Sequence, residues 1–308
     1  MAPTTDYPAP LIVPPTSGSH KNTIIILHGR GSTADIFSSP LLTHPVTLHS
    51  PSKDQSSSTF QSFFPYTKFV FPTASRRRAV HYNRSFTHQW FDMYPLDTFD
   101  SEHKQNVQMK GLKESTEYLH RLLTEETHLV GGQNVILMGL SQGCATSLLS
   151  AILWEGENLA AVVGICGWLP LRRDMLEFTA QEDEELLSDD DLFERDDDGQ
   201  NENRKTRYSQ VVEWLREEMD LSSSCGHKER ATESLSMQRT PVFLGHGSED
   251  EKVPLALGKL AAEALSVMEI AATFQDYEGL GHWYSANMLR DIINFIKEVE
   301  GWDEPVMV

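Results

Sequence analysis

Cysteine is scarce in this chain. Cys144, Cys166 and Cys225 are its only three, and no two stand as C-x-x-C. An odd, scattered set excludes a disulfide framework. Positive charge is also short: 26 Lys and Arg face 45 Asp and Glu, for a formal net charge of -19. That balance argues against a nucleic-acid or anionic-membrane partner. Long apolar runs are missing too. No stretch of about 18 apolar residues occurs, so no transmembrane segment is expected. The start, Met1-Ala2-Pro3-Thr4-Thr5-Asp6, lacks the basic and apolar regions of a signal peptide. The expectation is a cytoplasmic protein, compatible with the nucleus and not secreted. There is no internal repeat.

What is present is unevenly distributed. Twelve acids and one base, Arg195, fall in residues 181–203, which carry -11 of the -19. The tract lacks the Gly turn and spacing of a calcium loop, so no metal is expected there. Residues 174–238 read as an acidic, disordered insertion on composition. Within them only Val211-Val212-Glu213-Trp214-Leu215-Arg216 offers a short amphipathic helix. A second, Ser-rich insertion is expected at about 41–62. Residues 1–20 read as a flexible leader, 21–300 as one domain, and 301–308 as a tail.

Apolar, β-branched runs at 23–27, 68–71, 134–138, 160–166, 241–245 and 273–277 read as buried strands. Helical spacing covers 105–128, 144–154, 253–268 and 284–299. Strands alternating with helices give an α/β fold with a mainly parallel sheet flanked by helices. Arg76-Arg77-Arg78 is expected in a solvated loop rather than a phosphate site. Cys144 and Cys166 lie in apolar runs and read as small core residues.

Gly139-Leu140-Ser141-Gln142-Gly143 sits where the 134–138 strand turns into a helix. That is the context of a nucleophile elbow, in which glycines let the backbone pass close to its neighbours and a strained serine stands at the tip. In a parallel sheet, ligands bind at the carboxyl ends of strands. Ser141, Asp250 and His282 each follow such an end, in the order Ser, Asp, His. A serine hydroxyl needs a base to take its proton, which His282 supplies near neutral pH. Asp250 would fix the tautomer of His282 and stabilise the imidazolium. Asp250 also reads as a helix cap, and Glu249 or Asp276 stand as alternative acids. His28 and His246, both in His-Gly turns, are expected to bond the backbone. The oxyanion hole takes one N–H from Gln142, after the nucleophile, and one from the loop after the first strand, at Arg30. Trp90, Trp168, Leu169 and Trp283 are candidates for an apolar acyl wall, with core packing the alternative for Trp90.

These pieces resemble the acyl-protein thioesterase / carboxylesterase family of α/β-hydrolases, also called the phospholipase/carboxylesterase family. The matching residues are Leu27-His28-Gly29-Arg30-Gly31, Val70-Phe71-Pro72-Thr73-Ala74, Trp90-Phe91-Asp92, Gly139-Leu140-Ser141-Gln142-Gly143, Gly167-Trp168-Leu169-Pro170, His246-Gly247 with Asp250 and Val253-Pro254, and Gly281-His282. The resemblance implies a Ser141/Asp250/His282 triad and an oxyanion hole of Arg30 and Gln142. It implies hydrolysis of a carboxylic ester or thioester, on a lipidated protein or a small molecule, without a cofactor. Ser32 stands where the family often has an acid, and Gly247-Ser248 where it usually has Gly-Asp. A hydrolase or acyltransferase of small-molecule biosynthesis is the alternative, and a binding protein on a hydrolase scaffold a more distant one. Oligomeric state is not readable from the sequence.

Overall fold

The structure, a computed structural model, describes residues 6–48, 58–80, 85–96, 106–188, 206–221 and 236–302. Its strands are β1 (Leu11–Val13), β2 (Asn22–Leu27), β3 (Pro45–Val46), β4 (Ser58–Thr59), β5 (Thr67–Phe71), β6 (Arg76–Arg78), β7 (Phe86–His88), β8 (Val135–Leu140), β9 (Ala161–Ile165), β10 (Val242–Gly247) and β11 (Ala272–Tyr277). Its helices are α1 (Ala34–Leu42), α2 (Asn106–Val130), α3 (Gln142–Ile152), α4 (Arg172–Ser188), α5 (Arg207–Glu218), α6 (Leu255–Val267) and α7 (Ala286–Glu298). Seven strands form one sheet in the order β1-β5-β2-β8-β9-β10-β11. Only β1 runs antiparallel, against β5; the other pairings are parallel.

The continuous apolar runs follow from a sheet covered on both faces. Side chains alternate along a strand, so a strand buried twice has no polar positions to spare. In β2, Ile25 and Leu27 enter a cluster with Leu122 and Leu123 of α2 and Leu148 of α3, whereas Ile24 and Ile26 join Phe37 of α1 and Ile292 and Ile296 of α7. Helix α7 buries Met288, Leu289, Ile292, Ile293 and Ile296, one stripe at helical spacing. The Ser285 hydroxyl caps it by accepting the Met288 N–H at 3.2 Å. No described helix is long and apolar enough to cross a membrane.

Four expectations need correction. The leader is not loose throughout: Leu11–Val13 extends the sheet by pairing with Val13↔Phe69 and Leu11↔Phe71. Residues 301 and 302 are not free tail, because buried Trp302 donates its indole N–H to Gln133 O at 3.1 Å. Arg76–Arg78 is not a loop but a strand, with Arg76↔His88 and Arg78↔Phe86. The acidic insertion holds more helix than expected: α4 runs into it as far as Ser188, and the short helix expected at 211–216 is present within the longer α5. In α5, Tyr208, Val211 and Leu215 are buried in the main core together with Met219 just beyond it. The Tyr208 hydroxyl donates to Ile152 O at 2.9 Å and Arg216 to Leu153 O at 3.0 Å, so α5 seals the carbonyl end of α3. The parts of these expectations at 1–5, 49–57, 189–205, 222–235 and 303–308 lie outside the described residues.

Candidate active site

Ser141 stands between β8 and α3 with φ 59° and ψ -121°. A non-glycine residue there is strained, and close packing on both sides holds it. The turn needs bare backbone around it. A Cβ on Gly139 would lie 2.3 Å from Gly143 C, and one on Gly143 would lie 2.5 Å from Leu27 O. The Ser141 N–H is fixed by Ile165 O at 2.8 Å. Gln142 opens α3, so the N–H groups of its first turn have no partner inside the helix.

Three strand ends converge on Ser141. His282, after β11, lies with Nε2 2.8 Å from Ser141 Oγ. Its Nδ1 lies 2.7 Å from Asp250 Oδ2, after β10. A carboxylate only accepts, so Nδ1 carries the proton and Nε2 receives the serine O–H. The other Asp250 oxygen accepts the Lys252 and Val253 N–H groups, each at 2.9 Å. These bonds close the turn before α6 and do not cap the helix, whose N-cap is Pro254 with no side-chain hydrogen bond, so Asp250 is the acid and not the helix cap. Burial pushes the Asp250 carboxyl up, but hydrogen bonds from His246, His282 and Val253 outweigh it and hold the group well below the usual carboxylate range. The two alternative acids point elsewhere: Glu249 is exposed, and Asp276 sits 3.9 Å from Lys259 on the edge strand. Cys166 is buried beside this pair, its thiol donating to Trp283 O at 3.5 Å. Burial pushes that thiol up to about 12, so it packs there in neutral form.

The loop after β2 crosses in front of the nucleophile. A Cβ on Gly29 would lie 3.3 Å from Ser141 Cβ, which puts Arg30 at the rim of the same cleft. Gly31 N–H donates to His88 O at 2.8 Å and Ser32 N–H to Gly29 O at 3.2 Å. Beneath the loop His28 bonds backbone, as expected: Nδ1–H donates to Gly29 O at 2.7 Å and Nε2 accepts the Ala74 N–H at 3.0 Å. His246 donates Nε2–H to Val253 O at 2.9 Å.

The His28 geometry requires a neutral imidazole. Burial is the largest influence and pushes it down to about 4, from an ordinary value of 6.5. The unfolded chain therefore takes up a proton near pH 6.5 that the native chain refuses until about 4. This contribution to stability is present above pH 6.5 and shrinks as pH falls, by about 2 kcal/mol at pH 5. The thermal midpoint should fall from pH 7 to pH 5. In His28→Gln, which cannot charge, the slope should be shallower; an equal slope would rule His28 out as its source.

A cleft of about 510 Å³ opens over Ser141 and is lined by Arg30, Gln142, Trp168, His282 and Trp283. Two of the proposed wall residues are absent from it. Trp90 is fully buried and donates its indole N–H to His28 O at 2.8 Å; Leu169 packs in the core. Phe37, Met93, Pro95 and Leu96 supply the apolar wall instead. Met93 to Leu96 directly follow the Trp90-Phe91-Asp92 segment, a signal that pointed to this strap without resolving which residues turn inward. The side chain of Gln142 was also missed. Buried in full, it accepts Trp90 N–H at 2.9 Å and donates to Phe91 O at 2.7 Å, tying the strap to the residue after the nucleophile.

The sequence profile of the family described as "Phospholipase/Carboxylesterase" matches residues 9–183 and 216–300. Among curated proteins, acyl-protein thioesterase 1 of Yarrowia lipolytica is 23% identical over 297 residues, covering 94% of this chain and 97% of the relative. Among solved structures, acyl-protein thioesterase 2 of Zea mays superposes with a TM-score of 0.59 at 22% identity, over 94% of this chain and 97% of that one. SOBER1 of Arabidopsis thaliana gives 0.58 at 21%, over 90% and 97%. At these identities the structural likeness speaks to the fold.

Proposed function

Because the chain belongs to the phospholipase/carboxylesterase family, within the α/β-hydrolase fold, we propose that it cleaves an acyl ester or thioester through an acyl-enzyme on Ser141. The observation that carries this reading is the unbroken chain of hydrogen bonds from Ser141 Oγ through His282 to Asp250, at 2.8 and 2.7 Å. As the serine oxygen bonds to the acyl carbon, His282 Nε2 takes its proton, and Asp250 stabilises the resulting imidazolium. Charge then develops on the carbonyl oxygen. The N–H groups of Gln142 and Arg30 are assigned to it as the oxyanion hole. The leaving alcohol or thiol takes the proton back from His282, and a water repeats the sequence to free the acid.

The substrate's acyl part is assigned to the apolar wall of Phe37, Met93, Leu96, Trp168 and Trp283, which a hydrocarbon chain desolvates favourably. Ser32, Glu251 and Lys252 form a polar rim for the leaving group. A fluorophosphonate probe tests the nucleophile. It should add one adduct per chain, located on Ser141 by peptide mass spectrometry. A modified chain with the adduct elsewhere, or no labelling of folded protein, would overturn the assignment.

A further inference from the structure

The β6–β7 ribbon takes no part in this chemistry, yet it walls a second cavity of about 670 Å³ that shares no lining residue with the catalytic cleft. Ser75, Arg76, Arg77, Arg78, His88 and Lys110 line it. Its acids are Asp6, Asp92 and Glu114, so four permanent cations face three carboxylates. Two of those carboxylates are already engaged. Asp92 accepts Val80 N–H at 3.0 Å and Met93 N–H at 2.9 Å, and Glu114 pairs with Arg77 and, at 3.9 Å, with the exposed Lys110. Arg77 also donates to the Tyr7 hydroxyl at 2.9 Å. Arg78 stacks over the Phe86 ring at 4.8 Å. Arg76 has no ion-pair partner among the described residues.

Two lining side chains carry polar atoms that the protein leaves unsatisfied. Ser75 is 2% exposed, and its Oγ has no hydrogen-bond partner among the described residues; nor does the buried Nε of Arg77. Native interiors rarely keep such groups without a use, because each costs desolvation. The unmatched groups are the Ser75 hydroxyl, the Arg77 Nε–H and the Arg76 guanidinium, with the exposed Lys110 ammonium, 3.9 Å from Glu114, at the rim. A ligand that satisfies them is rich in acceptors and negatively charged. Donors spread over a strand and a facing helix match a tetrahedral oxyanion better than a planar carboxylate, and guanidinium forks suit phosphate oxygens. The cavity has room for more than the anion itself. A net charge of -19 opposes approach to an anionic bilayer, whereas a small anion entering a local cationic cavity is screened from distant charge within about 8 Å.

We propose that this cavity binds the phosphate group of a soluble phosphomonoester, at a site separate from the catalytic cleft. The position gives the site a consequence. His88, in its wall, accepts Gly31 N–H at 2.8 Å and bonds Ala74 O through Nδ1 at 2.7 Å, while Ala74 N–H is held by His28. The ribbon is therefore the back support of the 29–32 loop, and an occupied cavity should change turnover at Ser141. That consequence rests on the esterase reading; the binding does not.

Calorimetric titration of the full chain with inorganic phosphate, and separately with glycerol 3-phosphate, at fixed ionic strength tests the site. Both should bind saturably. The double variant Arg76→Gln/Lys110→Gln, which changes only exposed side chains, should weaken both by about tenfold or more, since each removes a charge-assisted bond. Ser75→Ala should also weaken binding while leaving the ligand-free thermal midpoint level or raised, because it removes an unsatisfied buried hydroxyl. A Ser75 with a purely structural role would lower the midpoint and leave the affinity alone. No saturable binding of either probe, or equal affinity in all three proteins, overturns the proposal. So does binding to phosphatidic acid vesicles without binding to the soluble probes. Ester turnover measured with and without saturating phosphate should differ in the wild type and not in the double variant. Binding without that difference overturns the coupling and leaves the site standing.

Discussion

Ser141→Ala is expected to lower kcat/KM for a p-nitrophenyl ester on the order of 10³-fold or more. The size follows from what the substitution removes and what it leaves. The hydroxyl lies 2.8 Å from His282 Nε2, the base that takes its proton. Without it no acyl-enzyme forms, and water must attack directly. The N–H groups assigned to the oxyanion, and the apolar wall, remain, so a residual rate above that in water should persist. A factor of 10³ corresponds to about 4 kcal/mol of transition-state stabilisation. Folding should be almost untouched. Alanine at φ 59° carries the same Cβ penalty as serine, and the change deletes one hydrogen bond worth about 1 kcal/mol. A variant that melts near the wild type yet turns over at the wild-type rate would sink the Ser141 assignment. Loss of rate together with loss of fold would say nothing of chemistry, so the melting curve belongs in the measurement.

The sequence exposed the parts of this site that local chemistry dictates. The apolar run before Gly139, the breaker-free run after Gly143 and the two glycines mark a strand, a tight turn and a helix, and β8, Ser141 and α3 stand there. Asp250 and His282 were legible because a parallel sheet gathers the residues that follow its strands. What stayed hidden depends on partners far along the chain. Leu11-Ile12-Val13 reads as part of a Pro-rich leader until the edge of β5 offers it hydrogen bonds. Three consecutive arginines read as solvated, but a cross-strand partner and Glu114, 37 residues away, hold Arg77 in place. The short helix expected at 211–216 stands within α5, but its extension back to Arg207 and the burial of Tyr208 depend on the Ile152 carbonyl that receives the Tyr208 hydroxyl. Trp90 carries an indole N–H that suits a cleft rim as well as a core. Only the His28 carbonyl beneath it decides for the core.

Asp250→Asn should lower kcat by about 10⁴, the scale of the tautomer error that the same change causes in a serine triad. The surroundings of Asp250 make the error hard to escape. Four donors face this one carboxylate: His282 Nδ1–H, the Lys252 and Val253 N–H groups, and more distantly His246 Nε2, 3.3 Å away. An asparagine has one oxygen and one amide nitrogen for them. With the nitrogen toward His282, it donates to Nδ1 and forces the proton onto Nε2, where the base must be empty to receive the serine proton. With the nitrogen toward Lys252 and Val253, it sets donor against donor at the turn before α6. Either orientation costs stability as well, by about 1–3 kcal/mol for an unsatisfied buried donor, so the thermal midpoint should drop by a few degrees while the chain stays folded. Mild acid cannot imitate the variant, because the wild-type carboxyl titrates well below the usual carboxylate range. Glu249→Gln and Asp276→Asn, which alter the two other acids near these strand ends, should keep the wild-type rate. A large loss in either of them, with Asp250→Asn active, would move the acid of the triad away from Asp250. Loss in Asp250→Asn alone would fix it there, because the one carboxylate that both closes the turn and meets His282 is the one the rate depends on.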